Sequence, residues 1–248
     1  MLSIDLNCDL GEGCGNDAEL MKLVSSANIA CGSHAGDVET MQKTVDLAME
    51  NGVAIGVHPS YPDRENFGRL QMSLSASEIE QIVTDQVGAL NDIVRAAGGK
   101  LSHVKPHGAL YNSSARDPEI AASIARAVAA FDEKLVLFGL AGSHSITESE
   151  KLGLRTASEV FADRTYQTDG SLTPRNSANA LITDTEAAVT QVLDMIKYGR
   201  VRSVDAIMIQ IAAETVCIHG DGDNAVEFAR SIRSSLTEHG IEISAING

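Results

Sequence analysis

Residues 27–58, ANIACGSHAGDVETMQKTVDLAMENGVAIGVH, place an amphipathic segment between two short apolar runs. The runs, 27–31 and 53–57, have the length and composition of buried strands. Between them, apolar residues recur every three or four positions from Val38 to Ala48, and the pattern ends at an Asn-Gly pair. This stretch therefore predicts a strand–helix–strand unit, with parallel strands and a helix that covers the sheet.

The same alternation continues through the chain in units of roughly 30 residues, the size of a strand–helix–strand motif. Further strands are predicted at residues 2–10, 101–105, 135–140, 156–161, 206–211 and 241–246. Helices are predicted after the caps Asp37, Ser75, Asp117 and Thr183, and over residues 223–239. Seven or eight such units favour a closed α/β barrel, of the TIM-like (β/α) type, over an open doubly wound sheet. We expect a single domain over residues 1–248.

The chain has 248 residues, and its 34 Asp and Glu outnumber its 19 Lys and Arg to give a formal charge of −15. Nucleic acids and anionic membrane surfaces bind proteins through clustered cations, so this balance argues against either as the main partner. At 44% hydrophobic residues, the composition is that of a folded globular protein and not of a disordered one.

Nothing in the N-terminus, Met-Leu-Ser-Ile-Asp5, resembles the basic start of a signal peptide. No apolar run approaches the roughly 18 residues that a membrane span needs. The four cysteines form no Cys-x-x-Cys pair, and a chain of this length needs no disulfide. We therefore expect reduced thiols and a cytoplasmic location.

Clusters of ionisable residues and glycines follow the carboxyl ends of the predicted strands. In parallel α/β folds these ends meet at one rim, where ligands bind. The side chains concerned are Asn7, Asp9, Glu12, His34, His58, Arg64, Arg69, Lys105, His107, Glu159, Asp163, Arg164, His219 and Asp221. Two long connections, 58–74 and 161–182, also reach this rim, and the second contains Arg175. The pattern predicts a ligand site at the carboxyl end of the barrel.

Some of these residues also have simpler structural interpretations. Asp37 is expected to cap the helix that follows it and not to bind a ligand. A single histidine at a strand end is more often structural, but His58, His107 and His219 occupy equivalent positions. Three histidines in equivalent places favour a functional role.

Lys105 lies on an otherwise apolar strand, so its ammonium must be paired if it is buried. One possibility is that it binds a carboxylate or phosphoryl oxygen of a substrate. The other is that it forms a salt bridge to Glu159 or Asp9. The sequence leaves both interpretations open.

Several common motifs are absent from the sequence. It contains no Gly-x-x-x-x-Gly-Lys-Ser/Thr phosphate loop, no Gly-x-Gly-x-x-Gly, no His-Glu-x-x-His and no Gly-x-Ser-x-Gly. A divalent metal such as Mg²⁺, held by Asp9, His58 or their neighbours, is chemically compatible with these residue types. The spacing of the residues does not require one.

Long strings of the sequence resemble the LamB/YcsF family, over the chain from Ser3 to about Ala245. The strings are Asp5-Leu-Asn7-Cys-Asp9-Leu-Gly-Glu12, residues 27–37, His58-Pro-Ser60, His103-Val-Lys105-Pro-His107-Gly-Ala-Leu-Tyr111, Phe161-Ala-Asp-Arg164 and Cys217-Ile-His219-Gly-Asp221. The resemblance implies an irregular (β/α) barrel related to the glycoside hydrolase/deacetylase barrels.

The resemblance also implies an ATP-dependent 5-oxoprolinase, in which 5-oxo-L-proline, ATP and water give L-glutamate, ADP and phosphate. The chain would work beside separately encoded partner subunits B and C, with ATP as co-substrate. Phosphorylation of the amide oxygen makes the ring carbon electrophilic. Such a reaction needs cations over the phosphoryl oxygens and a positioned base for water.

Under this interpretation the strand-end residues take expected roles. The expected catalytic residues are Asp9, Glu12, His58, Lys105, His107, Glu159, His219 and Asp221. The expected substrate-binding residues are Asn7, His34, Arg64, Arg69, Asp163, Arg164 and Arg175. Asp9, Glu12 and His58 are the candidates for general base. Two alternatives remain: an ATP-independent, metal-dependent amidase or deacetylase, and a non-catalytic binding subunit.

Overall fold

The computed structural model describes residues 2–219 and 225–246. Within these residues the main sheet has eight strands, and seven of them close into a parallel barrel because the first pairs with the last. Numbered along the chain, the barrel strands are β1 (Ser3–Leu10), β2 (Ser26–Ala30), β3 (Ala54–His58), β4 (Leu101–Val104), β5 (Val136–Leu140), β6 (Thr156–Phe161) and β9 (Thr215–Ile218). The prediction of a TIM-like α/β barrel is confirmed.

Helices follow the barrel strands and cover the outside of the barrel. Those in the described residues are α1 (Asp17–Leu20), α2 (Val38–Asn51), α3 (Ala76–Ala96), α4 (Gly108–Arg116), α5 (Pro118–Phe131), α6 (His144–Lys151), α7 (Thr185–Tyr198) and α8 (Ala225–Glu238). Within residues 2–219 and 225–246, none of them combines the length and apolar character that a membrane crossing requires.

The helix starts follow the capping chemistry that the sequence predicts, with one correction. Asp37 accepts a hydrogen bond from the Thr40 amide at 2.8 Å, so its role as a cap is confirmed. Helix α7 is capped by Asp184, which accepts from the Ala187 amide at 2.7 Å, and not by the Thr183 of the prediction. Asp184, one residue after Thr183, offers a carboxylate, which is the better acceptor for the Ala187 amide.

The predicted strand at 206–211 does not belong to the barrel. Part of it forms β8 (Met208–Gln210), which pairs antiparallel with β7 (Arg200–Arg202) in a separate ribbon. The seventh barrel strand is instead β9, whose four residues are all buried. The predicted strand at 241–246 is reduced to β10 (Glu242–Ile243), which pairs with the start of β1.

Strand β1 carries polar side chains into the barrel interior. Its residues alternate, so Leu6 and Cys8 belong to the hydrophobic core outside the barrel, while Asp5, Asn7 and Asp9 form hydrogen bonds across the interior. Burial raises the pKa of the Asp5 carboxyl at the bottom of this row. The same row ends at the carboxyl end of the barrel with Asp9, where the candidate site begins.

His103 on β4 fills the interior beside this polar row. Its ring stacks on Phe138 with centroids 4.2 Å apart, and its Nε2 donates to Asn28 Oδ1 at 2.8 Å. A Cβ at Gly56 would lie 2.0 Å from that same nitrogen, so only glycine leaves room for the ring. Burial, followed by the nearby Lys105 charge, lowers the pKa of His103 to about 3.

Candidate active site

A cavity of about 660 Å³ opens at the carboxyl ends of the barrel strands. Predicted site residues that line it are Asp9, Glu12, His58, Arg69, Lys105, His107, Arg164, Arg175 and His219. The strand-end pattern therefore brings together side chains that lie far apart in the sequence. Two groups of buried residues, described next, lie at and beneath the floor of this cavity.

The first group, here called the lysine pocket, surrounds the ammonium of Lys105, whose side chain is only 2% exposed. The Lys105 Nζ lies 2.9 Å from Asp9 Oδ1 and 2.9 Å from Glu159 Oε1. It also lies 3.2 Å from Asn7 Oδ1 and 3.0 Å from Cys217 Sγ. The salt-bridge interpretation of Lys105 is thus correct, and the lysine also lines the cavity.

The contacts in the lysine pocket favour the charged form of Lys105. Burial by itself would lower the pKa of Lys105, but the carboxylates of Asp9 and Glu159 raise it well above its usual value. Burial likewise raises the pKa of the Cys217 thiol, which therefore stays protonated beside the ammonium. Lys105 is consequently a fixed internal cation.

The second group, here called the histidine pocket, consists of Glu12, His34, His58 and His107. Each offers a ligand atom, and these atoms all lie within 4.8 Å of one another. The rings of His34 and His107 stack with centroids 3.8 Å apart and planes 5° apart. Burial lowers the pKa of both stacked rings, so they are neutral at neutral pH.

Asp9 joins the two pockets. Its Oδ1 accepts from Lys105 and from Asn28 Nδ2, both at 2.9 Å, and its Oδ2 lies 3.3 Å from His58 Nε2. Burial would raise the pKa of Asp9, but His58 and Lys105 hold it well below its usual value. Burial would lower the pKa of His58, but the Asp9 carboxylate raises it above its usual value. Asp9 is therefore ionised.

His219 forms a third arrangement at the cavity wall. Arg175 Nη2 lies 2.8 Å from His219 Nε2, and because arginine only donates, that ring nitrogen is an acceptor. The other nitrogen, Nδ1, then donates to Asp163 Oδ2 at 2.7 Å. Burial would raise the pKa of Asp163, but His219 and Arg175 lower it. These contacts hold Arg175 at the cavity mouth.

A family model for the LamB/YcsF family matches residues 4–248. The chain belongs to the LamB/YcsF family. It is similar to the crystal structure of a lactam utilization protein from Thermus thermophilus, with 44% identity, a TM-score of 0.93, and coverage of 99% of this chain and 100% of that one.

A more distant likeness concerns the barrel alone. The structure of a peptidoglycan deacetylase from Bacillus subtilis superposes with a TM-score of 0.50 at 13% identity, covering 99% of this chain and 88% of that one. At this identity only the fold is shared. The expected relation to deacetylase barrels is confirmed at that level.

Two arginines of this LamB/YcsF chain make structural contacts that the sequence prediction did not anticipate. Arg64 is absent from the cavity lining, and its Nη1 donates to the carbonyls of Gly32 and Gly36 at 3.0 and 2.8 Å. Arg164 lines the cavity but is buried, and its Nη2 donates to the Thr173 carbonyl at 2.6 Å. Both guanidinium groups hold loops in place.

The other predicted residues lie behind the cavity wall or outside the described residues. Asn7, His34, Glu159 and Asp163 are hydrogen-bonded or ion-paired to residues that line the cavity. Asp221 lies outside the residues that the structure describes.

Helix α4 contributes cavity residues that the sequence prediction missed. Gly108, Asn112 and Arg116 line the cavity at intervals of four, and Tyr111 lies beside them. Burial, followed by the Glu159 charge, raises the pKa of the Tyr111 phenol well above its usual value. The available signal was the helix start directly after His107, since a helix beginning there presents every fourth residue to the same side.

Proposed function

We propose that the chain is the LamB/YcsF-type component of an ATP-dependent 5-oxoprolinase, which opens 5-oxo-L-proline to L-glutamate while ATP is hydrolysed to ADP and phosphate. The observation that carries this proposal is the 44% identity, over both full chains, with a protein named for lactam utilization. Membership of the LamB/YcsF family and a polar cavity with acidic and basic groups support it.

Asp9 is our candidate for the base. Its Oδ1 is held by Lys105 and Asn28, while Oδ2 faces the histidine pocket, and the carboxylate is ionised. After phosphorylation of the lactam oxygen, water would add to the ring carbon and give its proton to Asp9. The ring carbon–nitrogen bond then breaks and the nitrogen takes up a proton, which leaves an acyl phosphate. A second water hydrolyses this acyl phosphate to the side-chain carboxylate of glutamate and free phosphate.

The cations around the cavity are our candidates for binding the anionic parts of the substrates. These candidates are Arg69, Arg116 and Arg175, which line the cavity as exposed side chains above the ion-paired Lys105. Guanidinium groups bind carboxylate and phosphate oxygens in pairs of hydrogen bonds. Because the whole chain carries a charge of −15, a locally positive surface at the cavity is needed to attract the anionic ATP.

The decisive experiment purifies the chain with and without the partner subunits B and C, supplies 5-oxoproline and ATP, and measures glutamate and phosphate. Glutamate formed in the complex supports the proposal, and none in any combination overturns it. Asp9→Asn should lower turnover by roughly 10²–10⁴-fold, the usual contribution of a general base. Asp37→Asn is the matched control, since Asp37 caps a helix and lies outside the cavity lining.

The histidine pocket favours a second candidate, an ATP-independent amidase or deacetylase that depends on a metal. An ion held by Glu12, His34, His58 and His107 would polarise an amide carbonyl as a Lewis acid. Amide cleavage by the chain alone, without ATP and abolished by a chelator, would favour this candidate. Full activity of the complex with Asp9→Asn would instead indicate a non-catalytic binding subunit.

A further inference from the structure

The hydrogen-bond partners of the three rings in the histidine pocket leave one nitrogen of each ring facing the inside of the pocket. His58 Nδ1 lies 2.7 Å from the Lys105 carbonyl, and His107 Nε2 lies 2.9 Å from the Phe67 carbonyl. A carbonyl can only accept, so each of these nitrogens carries a proton. His58 Nε2 and His107 Nδ1 are therefore the ring nitrogens that a metal ion could use as ligands, and these two atoms lie 3.0 Å apart.

The third ring, His34, is oriented by a hydroxyl group. The Ser60 hydroxyl donates its hydrogen to the Tyr61 carbonyl at 2.9 Å, so its oxygen accepts from His34 Nδ1 at 3.0 Å. The lone pair of His34 is then on Nε2, which lies 3.0 Å from Glu12 Oε1. In this tautomer His34 Nε2 and Glu12 Oε1 each offer a lone pair to a metal ion.

Glu12 Oε1 makes the same kind of contact to the other two rings. It lies 3.4 Å from His107 Nδ1 and 3.9 Å from His58 Nε2. A proton placed on one ring satisfies one of these contacts and leaves the others between acceptors. A cation at the centre satisfies all of them at once, which is the arrangement that second-sphere carbonyls and hydroxyls produce around metal-bound histidines.

We infer that Glu12, His34, His58 and His107 form a site for a divalent transition-metal ion of the Zn²⁺ type. Three imidazole nitrogens and one carboxylate oxygen suit Zn²⁺ and its neighbours in the first transition row. Mg²⁺ prefers oxygen ligands and retained waters, so the donor set does not fit the Mg²⁺ that the sequence suggested. The inference does not depend on the reaction proposed above.

A second group of candidate ligands, Asp9, Cys217 and His219, also has its ligand atoms within 4.8 Å of one another. The Lys105 ammonium already contacts the Asp9 carboxylate and the Cys217 sulfur. The free lone pair of His219 accepts from Arg175. Two fixed cations thus occupy the acceptors of this group, and a metal ion there would be repelled. The ion therefore belongs in the histidine pocket.

The test measures metal binding by the full chain and not its activity. Protein stripped with a chelator is titrated with Zn²⁺, Co²⁺ and Mg²⁺, and retained metal is measured by elemental analysis. We expect a single Zn²⁺ per chain, visible absorption bands from bound Co²⁺, and no retention of Mg²⁺. Glu12→Gln and His34→Gln should lose the ion, while His219→Gln and the exposed control His144→Gln should keep it.

Ser60→Ala tests the site without removing a metal ligand, because it deletes only the hydroxyl that orients His34. It therefore keeps the inference testable if the ligand variants fail to fold. It should weaken Zn²⁺ binding roughly tenfold, as loss of a second-sphere partner usually does. Unchanged affinity in Ser60→Ala overturns the inference. So does wild-type protein that holds no Zn²⁺ at micromolar concentration, or loss of the ion in His219→Gln together with its retention in His34→Gln.

Discussion

The lysine pocket and the histidine pocket lie side by side on the cavity floor and share Asp9, yet their charges are balanced in different ways. In the lysine pocket the chain supplies its own cation, and Lys105 lies between two carboxylates. In the histidine pocket one nitrogen of each ring faces Glu12, and the described residues supply no lysine or arginine contact to that carboxylate. One pocket contains its own cation, whereas we infer that the other takes up a metal ion. The following changes test that difference.

Lys105→Met should have the largest effect on the lysine pocket. It leaves Asp9 and Glu159 buried without a counter-charge, and removal of one partner from a buried ion pair costs about 3–5 kcal/mol. We expect that loss in the free energy of unfolding measured by chemical denaturation, together with undetectable turnover in the complex. A loss of no more than about 1 kcal/mol, the size of an ordinary substitution, would show that the stability of the pocket does not depend on the Lys105 charge.

Acidification should destabilise the protein through His103, which supports the lysine pocket from below. The folded-state pKa of about 3 lies below the unfolded value, so the contribution is complete above about pH 6.5 and is lost as the pH falls towards 3. Between pH 6.5 and pH 5 we expect a loss of about 2 kcal/mol, measured by denaturant unfolding at each pH.

The variant His103→Gln tests this assignment, because its amide can still donate to Asn28 but does not titrate. In this variant, unfolding should take up one proton fewer over the same pH range, so the free energy of unfolding should depend less steeply on pH. His144→Gln, an exposed histidine, is the control and should leave the slope unchanged. An unchanged slope in His103→Gln would assign the acid sensitivity to other groups.

Gly56→Ala disturbs the lysine pocket without touching a charged residue. The new methyl would lie 2.0 Å from His103 Nε2 and would displace the ring that orients Asn28. Overpacking of this kind costs about 1–3 kcal/mol. The double variant Gly56→Ala/His103→Ala should show a favourable coupling in a double-mutant cycle, since the ring that the methyl meets is gone. Additive effects would contradict the contact.

Gly68→Ala is the matching change beside the histidine pocket. Gly68 has φ +64°, and a Cβ there would lie 2.9 Å from atoms of both His34 and His107. The left-handed backbone alone costs about 1–2 kcal/mol for a residue with a Cβ. We expect Zn²⁺ retention to fall in Gly68→Ala and to persist in Gly56→Ala. Equal retention in the two variants would remove the distinction between the pockets.

The fold followed from the sequence where elements were long or strongly marked. Helices α2, α3 and α5 have both periodicity and caps, and β1 alternates clearly over eight residues. Strand β9 has four residues, too few for a period, and the apolar run at 206–211 resembled a strand more closely. That run is on the surface because the barrel closes without it.

The candidate site was predictable in position and not in detail. Strand ends gave the location of Asp9, His58, Lys105 and His107, because parallel strands bring their carboxyl ends to one rim. They could not separate Arg64, which holds a loop, from Arg175, which lines the cavity. Residue type is the same in both, and only the folded path of the loops decides which backbone carbonyls each guanidinium meets.

By itself, the sequence determined the barrel, the rim at which polar groups collect, and membership of the LamB/YcsF family. The tertiary structure alone decided the partners: it placed Lys105 against Asp9, 96 residues away, and brought a nitrogen of each of three histidines close to Glu12. Periodicity is a local property of the chain. Charge pairing and ring orientation depend on contacts between strands, and those exist only once the barrel is closed.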